Sequence, residues 1–198
     1  GWVRRNDCGQ VTDGAACIIL ANAQGLQKLG AARAQYQNVA RIKGWGHRTV
    51  RMGYADKIAD AKSDGYLFPH VRQTICDALQ RADIQDVFSL DAIETHDCFA
   101  ITEYMAIDHF GITAPGQAWR AVEEGWIEKT GKLPVNPSGG LIGVGHPVGA
   151  TGVRMLVDAW RQTSGQAGAC QIENCRNVAT LNLGGSTTTV ASFVVGVD

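Results

Sequence analysis

Between Asn136 and Gly152 the chain reads NPSGGLIGVGHPVGATG, six glycines in seventeen residues. The stretch runs into Ala150–Arg161, where Val153, Met155, Leu156, Val157, Ala159 and Trp160 read as a helix apolar on most sides and therefore largely buried. A loop that feeds a buried helix gains nothing from being loose. Glycine there serves positions that need positive φ or a close approach of another backbone. The fold must therefore bring Pro134–Gly149 tightly against the rest of the chain, with His146 at the mouth of the helix. A helix N-terminus can cradle a phosphate. The spacing, however, matches neither the dinucleotide fingerprint nor the Walker loop, so nucleotide binding is set aside. Taken alone, a tight-turn loop with a hydrogen-bonded histidine fits the stretch equally well.

The rest of the chain alternates strand and helix patterns. Ala15–Ala21 (AACIILA) is a short apolar run suited to a buried strand, and Asn22–Gly30 reads as a short helix. Tyr36–Trp45 reads as a second strand, and 48–67 as a surface loop with some local helix. Pro69 opens a helix with Val71, Ile75, Ala78 and Leu79 on one stripe. Val87–Thr95 is the next strand pattern, followed by a helix over Ala100–Phe110 that stops at Gly111, and by another over Pro115–Trp126. Val178–Leu183 and Thr187–Val195 read as two strands joined at Gly184-Gly185. This predicts an α/β fold with a mainly parallel sheet and a final antiparallel hairpin.

Composition narrows the function classes. Hydrophobic residues make up 45% of the 198 and charged residues 19%, enough apolar material for a true core and too much for a disordered chain or coiled coil. The formal net charge of -1 gives no global reason to bind nucleic acid or an anionic membrane. No basic-then-apolar leader opens the sequence, and no apolar run approaches ~20 residues. The six cysteines are irregularly spaced and too few for a disulfide scaffold, so free thiols in a reducing, cytoplasmic setting are expected. Cys170 and Cys175 lack a second pair at ligand spacing; a structural zinc there is a weak alternative, and no metal is expected. The chain begins at Gly1 rather than Met, as a piece of something longer would.

Three places concentrate chemistry, each at the end of an element, where open α/β sheets carry their sites. The first is His96-Asp97-Cys98-Phe99, directly after a strand. An imidazole and a thiol two residues apart serve acid/base chemistry where the backbone turns, and a following helix N-terminus favours a thiolate. A buried cysteine and a backbone-bonded histidine explain the same four residues. The second is His146 in the glycine loop. The third is Asn182-Leu183-Gly184-Gly185, either a plain hairpin turn or a backbone N–H donor for an oxyanion, where a side chain would block approach.

Together these motifs resemble the thiolase family. Asn136–Arg154 (NPSGGLIGVGHPVGATGVR) is similar to its C-terminal signature, and Asp13-Gly14-Ala15-Ala16 to a strand motif just after its loop domain. His96-Asp97-Cys98-Phe99 resembles the variant found in sterol-carrier-protein-type members, where most thiolases have Asn-Glu-Ala-Phe. Asn182-Leu183-Gly184-Gly185 stands where most carry Cys-x-Gly-Gly, a cysteine that the sterol-carrier type also lacks. The resemblance implies a thiolase-like fold: the C-terminal half, a mixed βαβαββ sheet with a buried helix, over 35–198. Residues 1–34 would be the terminal strand and helix of the N-terminal half. The acyl-accepting cysteine belongs to that missing half, and most coenzyme A contacts to the missing loop domain.

By the same resemblance, His146 matches the histidine that helps deprotonate the nucleophilic cysteine. Cys98 matches the general acid/base acting on the second substrate. His96 replaces the asparagine that fixes a water in the first oxyanion hole, or donates there itself. Gly184 matches a glycine whose N–H helps form the second. The implied reaction is acyl transfer with coenzyme A and acyl-CoA as substrates, no covalently bound cofactor, and a dimeric or tetrameric enzyme. It runs as thiolytic cleavage of a 3-oxoacyl-CoA or as Claisen condensation. Two alternatives stand beside it: retro-aldol cleavage of a CoA ester within the same superfamily, and a non-catalytic association module.

Overall fold

The computed structural model describes residues 3–28, 39–61 and 65–197. Its helices are α1 (Ala23–Lys28), α2 (Tyr54–Ala59), α3 (Pro69–Arg81), α4 (Ala100–Phe110), α5 (Ala118–Glu123), α6 (Gly140–Val144) and α7 (Thr151–Thr163). Its strands are β1 (Arg41–Thr49), β2 (Ala92–Thr95), β3 (Asn177–Gly184) and β4 (Thr189–Gly196). They form one four-stranded sheet in the order β1-β4-β3-β2.

The chain order βαβαββ and the mixed sheet are those the family resemblance implies, not the mainly parallel sheet that the strand and helix patterns predict. β2 pairs with β3 in parallel, while β4 is antiparallel to both β3 and β1. The first three strands all run the same way, as helical crossovers require. The return strand of the final hairpin then inserts between β1 and β3 and makes two of the three ladders antiparallel.

Side chains alternate across this sheet and define two packed layers. Ile93, Ala179, Leu181, Val190 and Val194 face α3 and α4, in one cluster with Val71, Ile75, Ala106, Ile107 and Phe110. Ala92, Val178 and Val195 face the other way, onto Ala159 of α7 and Cys175. α3 buries Val71, Ile75, Ala78 and Leu79, the stripe read from sequence, and Thr74 beside them; each fully buried Val, Ile or Leu contributes ~1.5–3 kcal/mol. Its backbone lies directly on β1. A Cβ at Gly44 would collide with the Ala78 carbonyl, and one at Gly46 with that of Thr74.

Several expectations are corrected. Ala15–Ala21 is not a buried strand: it has no regular structure, and Ile19 and Leu20 are 89% and 71% exposed. A strand needs a neighbour for its backbone groups, and none is present for this segment among the described residues. Only Ala92–Thr95 of the Val87–Thr95 pattern is strand; Val87–Ser89 forms a 3-10 turn whose entry Asp86 caps by accepting from Phe88 N. α7 is buried on one side only, through Thr151, Met155, Asp158, Ala159, Gln162 and Thr163, with Val153, Leu156, Val157 and Trp160 half-buried. The end of the Asn22–Gly30 helix, the start of the Tyr36–Trp45 strand and the boundary at 34/35 lie outside the described residues. No described helix is long and apolar enough to cross a membrane.

Candidate active site

β2 ends at Thr95, and the parallel ladder continues one step as His96 N donates to Leu181 O at 3.0 Å. That places the His96 ring beside β3, where its Nδ1 pairs with Asn182 Oδ1 at 2.9 Å. A carbonyl oxygen only accepts, so Nδ1 carries the proton and Nε2 presents a lone pair.

His146 follows α6 and is held from three sides. Its backbone N–H donates to Gln10 O at 2.9 Å, and its carbonyl accepts from Thr12 N at 3.3 Å. Its Nδ1 pairs with Thr151 Oγ1 at 2.7 Å. The Thr151 hydroxyl gives its one hydrogen to Pro147 O at 3.1 Å and so accepts from Nδ1–H, which leaves His146 Nε2 free to take a proton. The two rings meet edge to face, with centroids 4.9 Å apart and planes at 89°.

Both imidazoles are held neutral. Burial, then His146, push His96 down to about 4, against the Asn182 hydrogen bond. Burial, then Arg154, lower His146, while Asp97 opposes. Cys98 goes the other way: burial raises its thiol above the ordinary value and outweighs the contacts with Thr102 and Phe99. Its Sγ lies 3.9 Å from Thr102 Oγ1, whose own hydrogen goes to Phe99 O, so the thiol is the donor. The thiolate expected from a nearby helix N-terminus is thus disfavoured, because desolvation outweighs the dipole of α4. The Cys98 carbonyl accepts from Gly9 N at 2.8 Å. Gly184 ends β3 two residues beyond Asn182, but by the register of β3 its N–H faces Thr189 in the β3–β4 ladder and is not the free oxyanion donor that the family resemblance implies.

The glycine loop is fixed to the end of β2 by side chains that motif reading passes over. Asn136 Oδ1 accepts from Thr95 N at 2.7 Å, and its Nδ2 donates to Glu103 at 3.1 Å. Ser138 donates its N–H and hydroxyl to Glu94 at 3.1 and 2.7 Å. Asp97 accepts from Leu141 N at 2.6 Å and Ile142 N at 3.4 Å, which ties the two histidine-bearing loops together. Gly140 shows why the loop needs glycine: its φ is 61°, and a Cβ there would strike the Asp97 carboxylate. Burial drives Glu94 and Glu103 up to about 7, with Asp158 adding to the first and Asp97 to the second.

The structure thus brings the His96 and His146 rings together and sets Cys98 and Gly184 on the same two strand ends. Asn182 and Thr151, which orient the imidazoles, were visible only as members of motifs. An open cleft of about 430 Å³ lies next to His146, lined by Thr12–Ala16 and Pro147–Ala150. Cys170 and Cys175 are free thiols, and no group of three or more His, Cys, Asp or Glu could hold a metal among the described residues.

Comparison with known proteins identifies the family. A family model described as thiolase C-terminal domain-like matches residues 56–197. The chain is 33% identical to an acetyl-CoA acetyltransferase of Methanothermobacter thermautotrophicus over 97% of its own length and 47% of the relative's. It is 30% identical to human sterol carrier protein 2 over 96% of its length and 34% of that protein's. The chain therefore spans half or less of the length of these curated relatives. Among solved structures, an acetyl-CoA acetyltransferase of Bacillus anthracis aligns over 99% of this chain and 39% of its own, with a TM-score of 0.66 at 16% identity. An Ltp2-ChsH2(DUF35) aldolase aligns over 81% of this chain and 40% of its own, with a TM-score of 0.68 at 20% identity. The chain belongs to the thiolase family, and residues 56–197 match the model of its C-terminal domain.

Proposed function

We propose that this chain is the C-terminal part of a thiolase acting on acyl-CoA, by thiolytic cleavage of a 3-oxoacyl-CoA or the reverse condensation. The observation that carries the reading is the His96–His146 pair: two neutral imidazoles in edge contact, His146 with Nε2 free to accept a proton. His146 takes the proton of a nucleophilic cysteine supplied by the half of the protein outside this chain. The thiolate adds to C3 of the 3-oxoacyl-CoA. The C2–C3 bond breaks, and the electron pair left on C2 as an enolate takes the proton of Cys98. Coenzyme A then gives its thiol proton to the Cys98 thiolate, and its own thiolate displaces the acyl group from the nucleophilic cysteine, which takes its proton back from His146. His96, through a water held at Nε2, stabilises the oxyanion. One such donor contributes ~10²–10³ in rate.

A thiol kept protonated by burial suits the group that must first donate. Exposed Ile19 and Leu20 are apolar surface that a further half of the protein would cover in this reading. A cytoplasmic dimer or tetramer is part of the same reading. Cys98→Ala in the intact protein tests it. Thiolysis of acetoacetyl-CoA is expected to fall ~10²–10⁴-fold, with the acyl-enzyme forming slowly because the enolate has lost its proton donor. Unchanged turnover removes Cys98 from the chemistry. Release of an aldehyde or ketone from a 3-hydroxyacyl-CoA, without thiolysis of acetoacetyl-CoA, would point to retro-aldol cleavage instead.

A further inference from the structure

In the reaction proposed above Cys98 changes state twice, from thiol to thiolate and back, in surroundings that oppose the thiolate. Its half-buried position disfavours the charge, and the neighbouring Asp97 carboxylate adds to the opposition. An anion out of water needs donors that meet it. A donor fixed on Sγ would form the thiolate in advance and spoil the acid. The site calls for a donor that arrives only with the charge.

Thr102, in the first turn of α4, meets that requirement. Its Oγ1 stands 3.9 Å from Cys98 Sγ and accepts from Phe99 N at 3.3 Å. Its one hydrogen goes to Phe99 O at 2.6 Å. A hydroxyl hydrogen turns freely about its C–O bond, so the same hydrogen is available to Sγ. Phe99 O is not orphaned by that turn, because Thr102 N also donates to it at 2.9 Å. Phe99 N keeps its partner as well, since a hydroxyl oxygen accepts whichever way its hydrogen points. Capping accounts for the Phe99 contacts: a phenylalanine N-cap has no polar side chain, and the threonine three residues on serves in its place. Capping does not account for a thiol set against the same oxygen.

We propose that Thr102 is a positioning residue for Cys98, its hydroxyl accepting from the thiol and donating to the thiolate. The proposal rests on the acid/base reading of Cys98. When the enolate takes the Sγ proton, the electron pair stays on sulfur and the Thr102 hydrogen turns from Phe99 O to Sγ. When coenzyme A returns a proton to Sγ, the hydrogen turns back. Thr102 itself neither gains nor loses a proton. Without the hydroxyl, Cys98 is a weaker acid towards the enolate and a stronger base towards coenzyme A.

The two half-reactions test this in the intact protein. Acyl transfer through an acyl-enzyme is ping-pong, so kcat/KM for acetoacetyl-CoA reports the first half and kcat/KM for coenzyme A the second. Thr102→Val is expected to lower the first ~10-fold and to change the second less than about threefold. Thr102→Ser, which keeps the hydroxyl, should stay within about twofold of the parent in both. Thr102→Ala gives the same reading as Thr102→Val should valine disturb the helix start. Equal losses in both half-reactions, or a serine variant as impaired as the valine one, overturn the proposal. In a Cys98→Ala background Thr102→Val should cost less than about twofold, and a full further loss there also overturns it. If Cys98→Ala leaves turnover unchanged, the acid/base reading of Cys98 fails. If Cys98→Ala lowers turnover while Thr102→Val and Thr102→Ala change neither half-reaction, the role of Thr102 alone fails.

Discussion

His96 is the residue whose chemistry depends most on a neighbour distant in sequence. Its pairing with Asn182 spans 86 positions and decides which ring nitrogen holds the proton. Motif reading named His96, Cys98, His146 and Gly184 as reactive, because residue types at fixed spacing are local information. It could not name the partners that set protonation, since those meet only through the β2–β3 ladder and the first turn of α7. The same limit explains Cys98, where a local argument favours a thiolate and tertiary burial reverses it. Asn182→Asp separates orientation from charge. The carboxylate still accepts from Nδ1–H, so the tautomer stays, while the negative charge favours imidazolium. The acid limb of kcat/KM is expected to move to higher pH by about one unit, with kcat at pH 8 kept within about tenfold. A collapse of ~10²-fold or more at pH 8 would mean that His96 must donate through Nε2, contrary to the geometry described above.

At the scale of elements, α3 and α4 were readable because their stripes and stops are encoded in consecutive residues: Pro69 at the first turn, Gly111 in the left-handed conformation at the last. β4 between β1 and β3 was not, because strand order is a property of the assembled sheet. The glycine loop falls between these cases. Its density of glycine announced close approach, while the group approached, the Asp97 carboxylate, had to be seen. Two substitutions in α6 test this. Gly140→Ala meets both a φ of 61° and the Asp97 oxygens, so it should cost ~2 kcal/mol or more, lowering Tm by ~4–8 °C. Gly143→Ala, in the same helix with ordinary φ and nothing within 4 Å, should be neutral or stabilise by ~0.5–1 kcal/mol. Equal effects in thermal unfolding would mean that the Asp97 contact does not shape the loop.

For the molecule as a whole, buried ionisable groups pull stability in opposite directions as pH changes. His96, lowered from 6.5 to about 4, contributes stability that is complete above 6.5 and lost as pH falls through 4. Glu94 and Glu103, raised from 4.5 to about 7, contribute stability that is complete below 4.5 and lost as pH rises through 7. Between pH 6.5 and 8.5 the histidine contribution is constant and the carboxyls dominate, so denaturant stability should decline across that window. Glu94 is fully buried, and its ionisation costs the fold on the order of 3 kcal/mol well above pH 7. Glu94→Gln keeps both Ser138 contacts, since the amide accepts from Ser138 N and donates to its hydroxyl. The variant should match the parent near pH 5 and surpass it at pH 8.5, with a flatter curve between. Because Ser138 opens the loop that carries His146, the same variant should also extend activity to higher pH. Parallel stability curves for parent and variant would show that Glu94 is ionised throughout and that the loop is held by a permanent charge.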